Sequence, residues 1–235
     1  AAFDGLNLCF ETREGIVKHC SLAEARRLGD VGERFLNRTQ PSLEAQVCNL
    51  ADEIAYNNHD LDDGLRAGLI TLEQLVEVPL FAEHAADVRG HYPELSGRRL
   101  IHETIRRMIN ALVCDLIANT ARNIAAHQPD DIAAVRRGPA LVSFSEDLGA
   151  AQRNLKRFLR AHLYQHYQVR RMASKARRIV RDLFTAFTCD FRLLPPQYQA
   201  PADGERIRRV ADYIAGMTDR YAIREHRRLF SVSEG

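Results

Sequence analysis

Thirteen residues, Asp52 to Gly64, hold five acids and one histidine within an otherwise helix-forming stretch. On a helix, Asp52, Tyr56 and Asp60 fall four residues apart, so their side chains stack along one face with a rise of about 6 Å per step. A carboxylate, a phenol and a second carboxylate in line suit a divalent cation with a phosphorylated sugar beside it. A helix built for solubility alone would mix lysine among its acids. Metal sites draw on three or four ligands, and this helix offers one or two.

Other chemistries find little support. There is no GxSxG elbow and no serine or cysteine whose local context identifies a base, which argues against nucleophilic catalysis. Neither GxxxxGK[ST] nor GxGxxG occurs, so glycine-rich phosphate loops are excluded too. The five cysteines, Cys9, Cys20, Cys48, Cys114 and Cys189, are odd in number and scattered without a CxxC pair. That pattern fits neither a disulfide framework nor a zinc knuckle, and it reads as buried free thiols.

The net charge of +2 conceals a segregation along the chain. From Glu44 to Asp87 there are ten acids and a single base, Arg66, whereas from Arg153 to Arg181 there are ten bases and no acid. A cation site beside a polyanion site would use both halves. Alternatively, the two segments attract each other across a helix interface.

The elements that must position these groups read as helices throughout. With 235 residues and 46% hydrophobic content the chain can bury a substantial core. No apolar run is long enough for a membrane span and no secretory signal is visible, so the expected compartment is the cytoplasm. The chain lacks an initiator methionine and reads as starting mid-protein. A first helical pattern carries Leu6, Leu8, Phe10, Ile16 and Val17, and a polar connection follows from Arg27 to Gln40. Ser42 is a good N-cap for the acidic helix, which is expected to run to about Asn58 and to continue irregularly to Gly68. Short helices are expected over Thr71–Val76 and Leu80–Arg89.

Ser96 should cap the clearest helix, in which Leu100, Ile101, Ile105, Met108, Ile109, Leu112, Val113, Leu116 and Ile117 recur at three- and four-residue steps as a wide buried stripe. Pro129–Pro139 reads as a loop or short helix, and helices are expected over Ser145–Tyr164 and Val169–Phe187. A linker from Pro195-Pro196 to Gly204 then leads to a last helix over about Glu205–Asp219. Few segments are rich in β-branched residues. The fold class is all-α.

Residues 50–68, LADEIAYNNHDLDDGLRAG, resemble the last metal-ligand motif of the bacterial dGTPase-like triphosphohydrolases of the HD superfamily. Three more stretches resemble the same family in the same order: FDGLNLCFETREGIVKH near the start, LYQHYQVRRMASKARRIVRDLF in the basic region, and RVADYIAGMTDRYAIREHRRLF near the end. The resemblance implies a partial multi-helix HD-superfamily bundle over residues 1–194 and a helical C-terminal extension over residues 195–235. It also implies hydrolysis of a deoxynucleoside triphosphate to a deoxynucleoside and inorganic triphosphate, dependent on magnesium, manganese or a similar ion.

By position, Asp52 matches the family's last metal-binding aspartate. Tyr56 matches a substrate-contacting tyrosine, and Asp60 an aspartate that accepts a hydrogen bond from the sugar 3′-hydroxyl. Tyr164 and Lys156 match, more loosely, a tyrosine that packs on substrate and a cation that contacts phosphate; otherwise they are a core residue and a solvated charge. His59-Asp60 spells the superfamily's signature pair, yet the family's own pair lies upstream of the aspartate motif, so His59 is expected on the helix surface or beside the site. The family's first histidine and His-Asp pair would precede Ala1, so the chain alone is expected to be inactive.

Such proteins commonly form homo-oligomers, and Arg177 and Arg178 could line a subunit interface. For Asp212, Tyr213, Asp219 and Arg220 the expectation is ion pairs and caps that fix the terminal helix. The competing reading is a non-catalytic helical module that binds single-stranded nucleic acid or a partner subunit through the basic run and its interleaved Tyr164, Tyr167, His162 and His166.

Overall fold

The computed structural model describes residues 5–199 and 205–232, and among them every regular element is a helix. The chain divides into two compact units, residues 1–163 and 164–235.

The first unit contains α1 (Phe10–Ile16), α2 (Leu22–Ala25), α3 (Glu33–Asn37), α4 (Leu43–Arg66), α5 (Pro79–His91), α6 (Gly97–His127), α7 (Ile132–Arg137) and α8 (Glu146–Phe158). The polar connection after Arg27 carries a 3-10 turn, Gly29–Gly32, and then α3. Its compactness depends on Gly32, where an added Cβ would sit 1.8 Å from the Ala25 carbonyl oxygen.

The acidic helix α4 starts as expected, with the Ser42 hydroxyl accepting a hydrogen bond from the Ala45 amide at 3.3 Å. It then runs regularly to Arg66, because Ile54, Asn57, Asn58, Leu61 and Gly64 keep one face buried at helical spacing. Gly64 does not interrupt this helix. A Cβ there would lie 2.9 Å from Ile70 Cδ1 and 3.1 Å from Leu163 Cδ1, so the glycine admits close packing. The helix ends where Gly68 takes φ +67° and the Leu69 amide donates back to the Gly64 carbonyl at 2.9 Å.

Helix α6 packs against α5 and α4. Leu100, Thr104, Ile105, Met108, Leu112 and Leu116 are buried, while Val113 and Ile117 are exposed. The stripe is therefore narrower than expected, since the helix is covered on one side only. Ser96 occupies the N-cap position without a side-chain cap bond. After α8, a π-helical turn, Leu159–Tyr164, carries Leu159 and Leu163 into buried positions.

The second unit holds α9 (Tyr167–Cys189), α10 (Arg206–Ala215) and α11 (Asp219–Phe230). The last helix expected from Glu205 to Asp219 ends at Ala215, and a further helix, α11, follows it. Gly216 follows α10, and the Thr218 hydroxyl caps α11 by accepting from the Tyr221 amide at 3.3 Å. Ile179, Leu183, Phe187, Leu194, Val210 and Tyr213 form the core of this unit, with Tyr198 packed against it. Pro195-Pro196 thus lies between two residues of that core, and the rest of the expected linker, 200–204, falls outside the described residues. Among the described residues no helix is long and apolar enough to cross a membrane.

The expectation of buried thiols is corrected. Cys9, Cys48, Cys114 and Cys189 are exposed and Cys20 is intermediate. Residue type favours burial, but Cys48, Cys114 and Cys189 fall on the outward phase of α4, α6 and α9, and Cys9 precedes α1.

Candidate functional site

The regularity of α4 places Asp52, Tyr56 and Asp60 on one ridge, roughly opposite the buried Ile54 and Leu61 at 100° per residue. Asp52 and Tyr56 are exposed and Asp60 is half-buried. Lys18, just beyond α1, donates from Nζ to Asp52 Oδ2 at 3.0 Å. One residue along, Glu53 Oε2 lies 2.7 Å from Lys156 Nζ on α8. Lys156, singled out from sequence as a phosphate contact, is therefore held against the acidic helix beside Asp52. Tyr164 ends the π-helical turn, half-buried, in the second unit. His59 is exposed on the surface of α4.

Lys18 escaped the sequence reading because its link to Asp52 is a long-range contact with no local pattern. Asn57 and Asn58 escaped as well, although two amides at apolar phases of a helix are a readable signal. Both are buried, and Asn58 Nδ2 donates to the Ile54 carbonyl at 2.7 Å. Asn57 Nδ2 and Asn58 Oδ1 have no hydrogen-bond partner among the described residues, and the same holds for both side-chain polar atoms of Gln152 on α8.

Asp52 can serve a divalent cation as one carboxylate ligand, exposed and already attractive to a positive charge, as its pairing with Lys18 demonstrates. It does not make a complete site. Among the described residues no three His, Cys, Asp or Glu side chains converge as a cation cage, and four or more ligands are the rule for such ions.

Of the ten bases from Arg153 to Arg181, Lys156 alone has an ion-pair partner among the described residues. On α9, Arg170, Arg171, Lys175, Arg177, Arg178 and Arg181 are exposed. Arg171, Lys175 and Arg178, with Gln168, Met172 and Ser174, line a groove of about 790 Å³.

The phosphohydrolase-associated domain family matches residues 142–228, which include α8 to α10 and most of α11. A deoxyguanosinetriphosphate triphosphohydrolase-like protein of Azoarcus sp. strain BH72 is 63% identical over 234 residues, 100% of this chain and 62% of the relative. The protein of the same name from Thiobacillus denitrificans is 60% identical, with the same shares covered. The chain is similar over its whole length to proteins of this triphosphohydrolase-like family. A further relative so named, from Nitrosomonas europaea, is 55% identical over 100% of the chain and 63% of its own length. The chain thus spans about three fifths of the length of the curated relatives it matches.

Proposed function

We propose that this chain is part of a metal-dependent hydrolase that converts deoxynucleoside triphosphates to deoxynucleoside and inorganic triphosphate. The observation that carries the reading is the ridge of Asp52, Tyr56 and Asp60 on a rigid helix, with Lys156 held beside it. The names of the relatives support the same substrate class.

In this reading Asp52 is one ligand of a magnesium, manganese or similar ion, whose role when bound is to polarise the reacting phosphate. Tyr56 packs on the sugar, and Asp60 accepts from its 3′-hydroxyl, fixing the nucleotide along the ridge. Lys156 exchanges Glu53 for a phosphate oxygen, the stronger anion. Tyr164 packs on the nucleotide. With one candidate metal ligand, the 235-residue chain by itself turns over little or no substrate, and the working protein is a homo-oligomer of the longer polypeptide.

The test is hydrolysis of deoxynucleoside triphosphates by the complete gene product with and without Asp52→Ala. Loss of at least a hundredfold in rate, with unchanged folding, is the expected result. Undiminished activity removes Asp52 from the metal site.

A second reading is favoured by the bases of α9, which have no ion-pair partner among the described residues and suit single-stranded nucleic acid. Filter binding of single-stranded DNA at two salt concentrations decides it, and no retention at low salt eliminates it.

A further inference from the structure

The start of α6 forms a second basic concavity. Tyr92, Arg98, Arg99, His102, Glu103 and Arg106, with Leu95, line a cavity of about 630 Å³, within the size range of small-molecule sites. Its one acid does not oppose an anion. Glu103 accepts from Arg106 Nε and Nη2 at 2.8 and 2.7 Å and from Arg107 Nε at 3.0 Å. Arg106, and then Arg107, hold its carboxyl at about 2, so Glu103 stays charged, compensated, and serves to fix the Arg106 guanidinium.

Arg98 and Arg99 have no ion-pair partner among the described residues; Arg98 Nη2 lies 3.2 Å from His102 Nε2. That contact makes His102 an acceptor, leaving both guanidinium charges uncompensated at the rim. The helix behind them is 31 residues long and its N-cap side chain satisfies none of the first-turn amides. Its positive end adds to the same field. Nothing in the proposed hydrolytic site uses these residues.

We propose that this cavity binds an oligophosphate chain, either free inorganic tripolyphosphate or the triphosphate of a nucleotide, on Arg98 and Arg99. Two guanidinium groups from consecutive residues of the first turn, both lining the cavity, can approach an oligophosphate chain from different directions and hold it by charge-assisted hydrogen bonds. Tyr92, with 45% of its surface exposed, provides a ring face for the base when a nucleotide is the ligand.

Calorimetric titration of the 235-residue chain with sodium tripolyphosphate, in chelator to exclude metal-mediated binding, tests the proposal. The parent chain and Asp52→Ala should bind equally, which separates this site from the proposed hydrolytic one. The double variant Arg98→Ala/Arg99→Ala should bind at least tenfold more weakly. Arg98→Lys/Arg99→Lys should stay within a few-fold, and circular dichroism should match the parent for both. Lys175→Ala/Arg178→Ala is the control for diffuse attraction to α9. Absence of binding to the parent chain, no effect of Arg98→Ala/Arg99→Ala, or an equal loss in the α9 variant each overturns the proposal.

Titration with dGTP and with deoxyguanosine identifies the source. Equal affinity for dGTP and tripolyphosphate assigns the bare phosphate chain, and dGTP at least tenfold tighter assigns a nucleotide. Deoxyguanosine binding as tightly as dGTP overturns phosphate recognition.

Discussion

Lys18 Nζ lies 3.0 Å from Asp52 Oδ2, joining the segment after α1 to the exposed ridge of α4. With 68% of the Asp52 side chain exposed, the pair is a surface ion pair, contributing roughly 0–1 kcal/mol to stability. Its consequence is for function: Lys18 competes with any divalent ion for the same carboxylate. Lys18→Met in the complete protein should leave urea stability within about 1 kcal/mol and lower, by a few-fold, the magnesium or manganese concentration giving half-maximal activity. A metal requirement that rises instead would assign Lys18 to phosphate binding.

Glu14 is fully buried and accepts from Arg136 Nη2 and from the Ser42 amide, each at 3.3 Å. One carboxylate thus ties α1 to the N-cap of α4 and to α7. Glu14→Ala removes the acceptor of the Ser42 amide and leaves Arg136 with the longer pair to Glu11, at 3.6 Å, so unfolding by urea should show a loss of about 2 kcal/mol. Glu14→Gln keeps an acceptor and should cost less. Because Lys18 follows α1, the Ala variant should also loosen the Lys18–Asp52 pair, and metal dependence in this variant should shift as in Lys18→Met.

The arginine clasp on Glu103 carries a pH signature. Its carboxyl is held at about 2 by Arg106 and Arg107, below the ordinary range for glutamate of about 4.3. A depressed acid contributes stability that is fully present above the unfolded value and disappears as pH falls through the folded one. Acid unfolding followed by circular dichroism should therefore show a component of stability lost between about pH 4.5 and pH 2. Glu103→Gln should lack that component and be less stable than the parent near neutrality. An identical acid profile for the two proteins rules out the clasp as a source of stability.

Local chemistry made much of this legible. Ser42, the α4 periodicity and the leucine and isoleucine spacing of α6 identify helices, because capping and burial phase are properties of neighbouring residues. The ridge of Asp52, Tyr56 and Asp60 follows from the helix alone. What the sequence concealed is long-range. Lys18 reaches Asp52 across 34 positions, and Lys156 finds Glu53 through the packing of different helices. The outward phase of Val113 and Ile117 depends on how many sides of α6 are covered, which no window of sequence encodes. The stop of α10 at Ala215 and the start of α11 were missed although Gly216 and Thr218 are ordinary stop and cap signals.

The thiols give a direct check on helix phase. Cys9, Cys48, Cys114 and Cys189 are exposed, whereas Cys20 is less accessible and its thiol lies 3.3 Å from the Ser21 carbonyl oxygen as a donor. Cys9 has a further advantage. The Thr12 side chain, 3.1 Å away, together with its backbone, favours the thiolate and holds the thiol below its ordinary value. Since the thiolate is the reacting form, a disulfide reagent at neutral pH should modify Cys9 first, then the other three exposed thiols, and Cys20 last. Thr12→Val should slow Cys9 toward the rate of Cys48 without changing the order of the others. Rapid labelling of one site in Cys9→Ser protein, by contrast, would place the activated thiol elsewhere. A chain with all five thiols protected until unfolding would contradict the helix phases described for α4, α6 and α9.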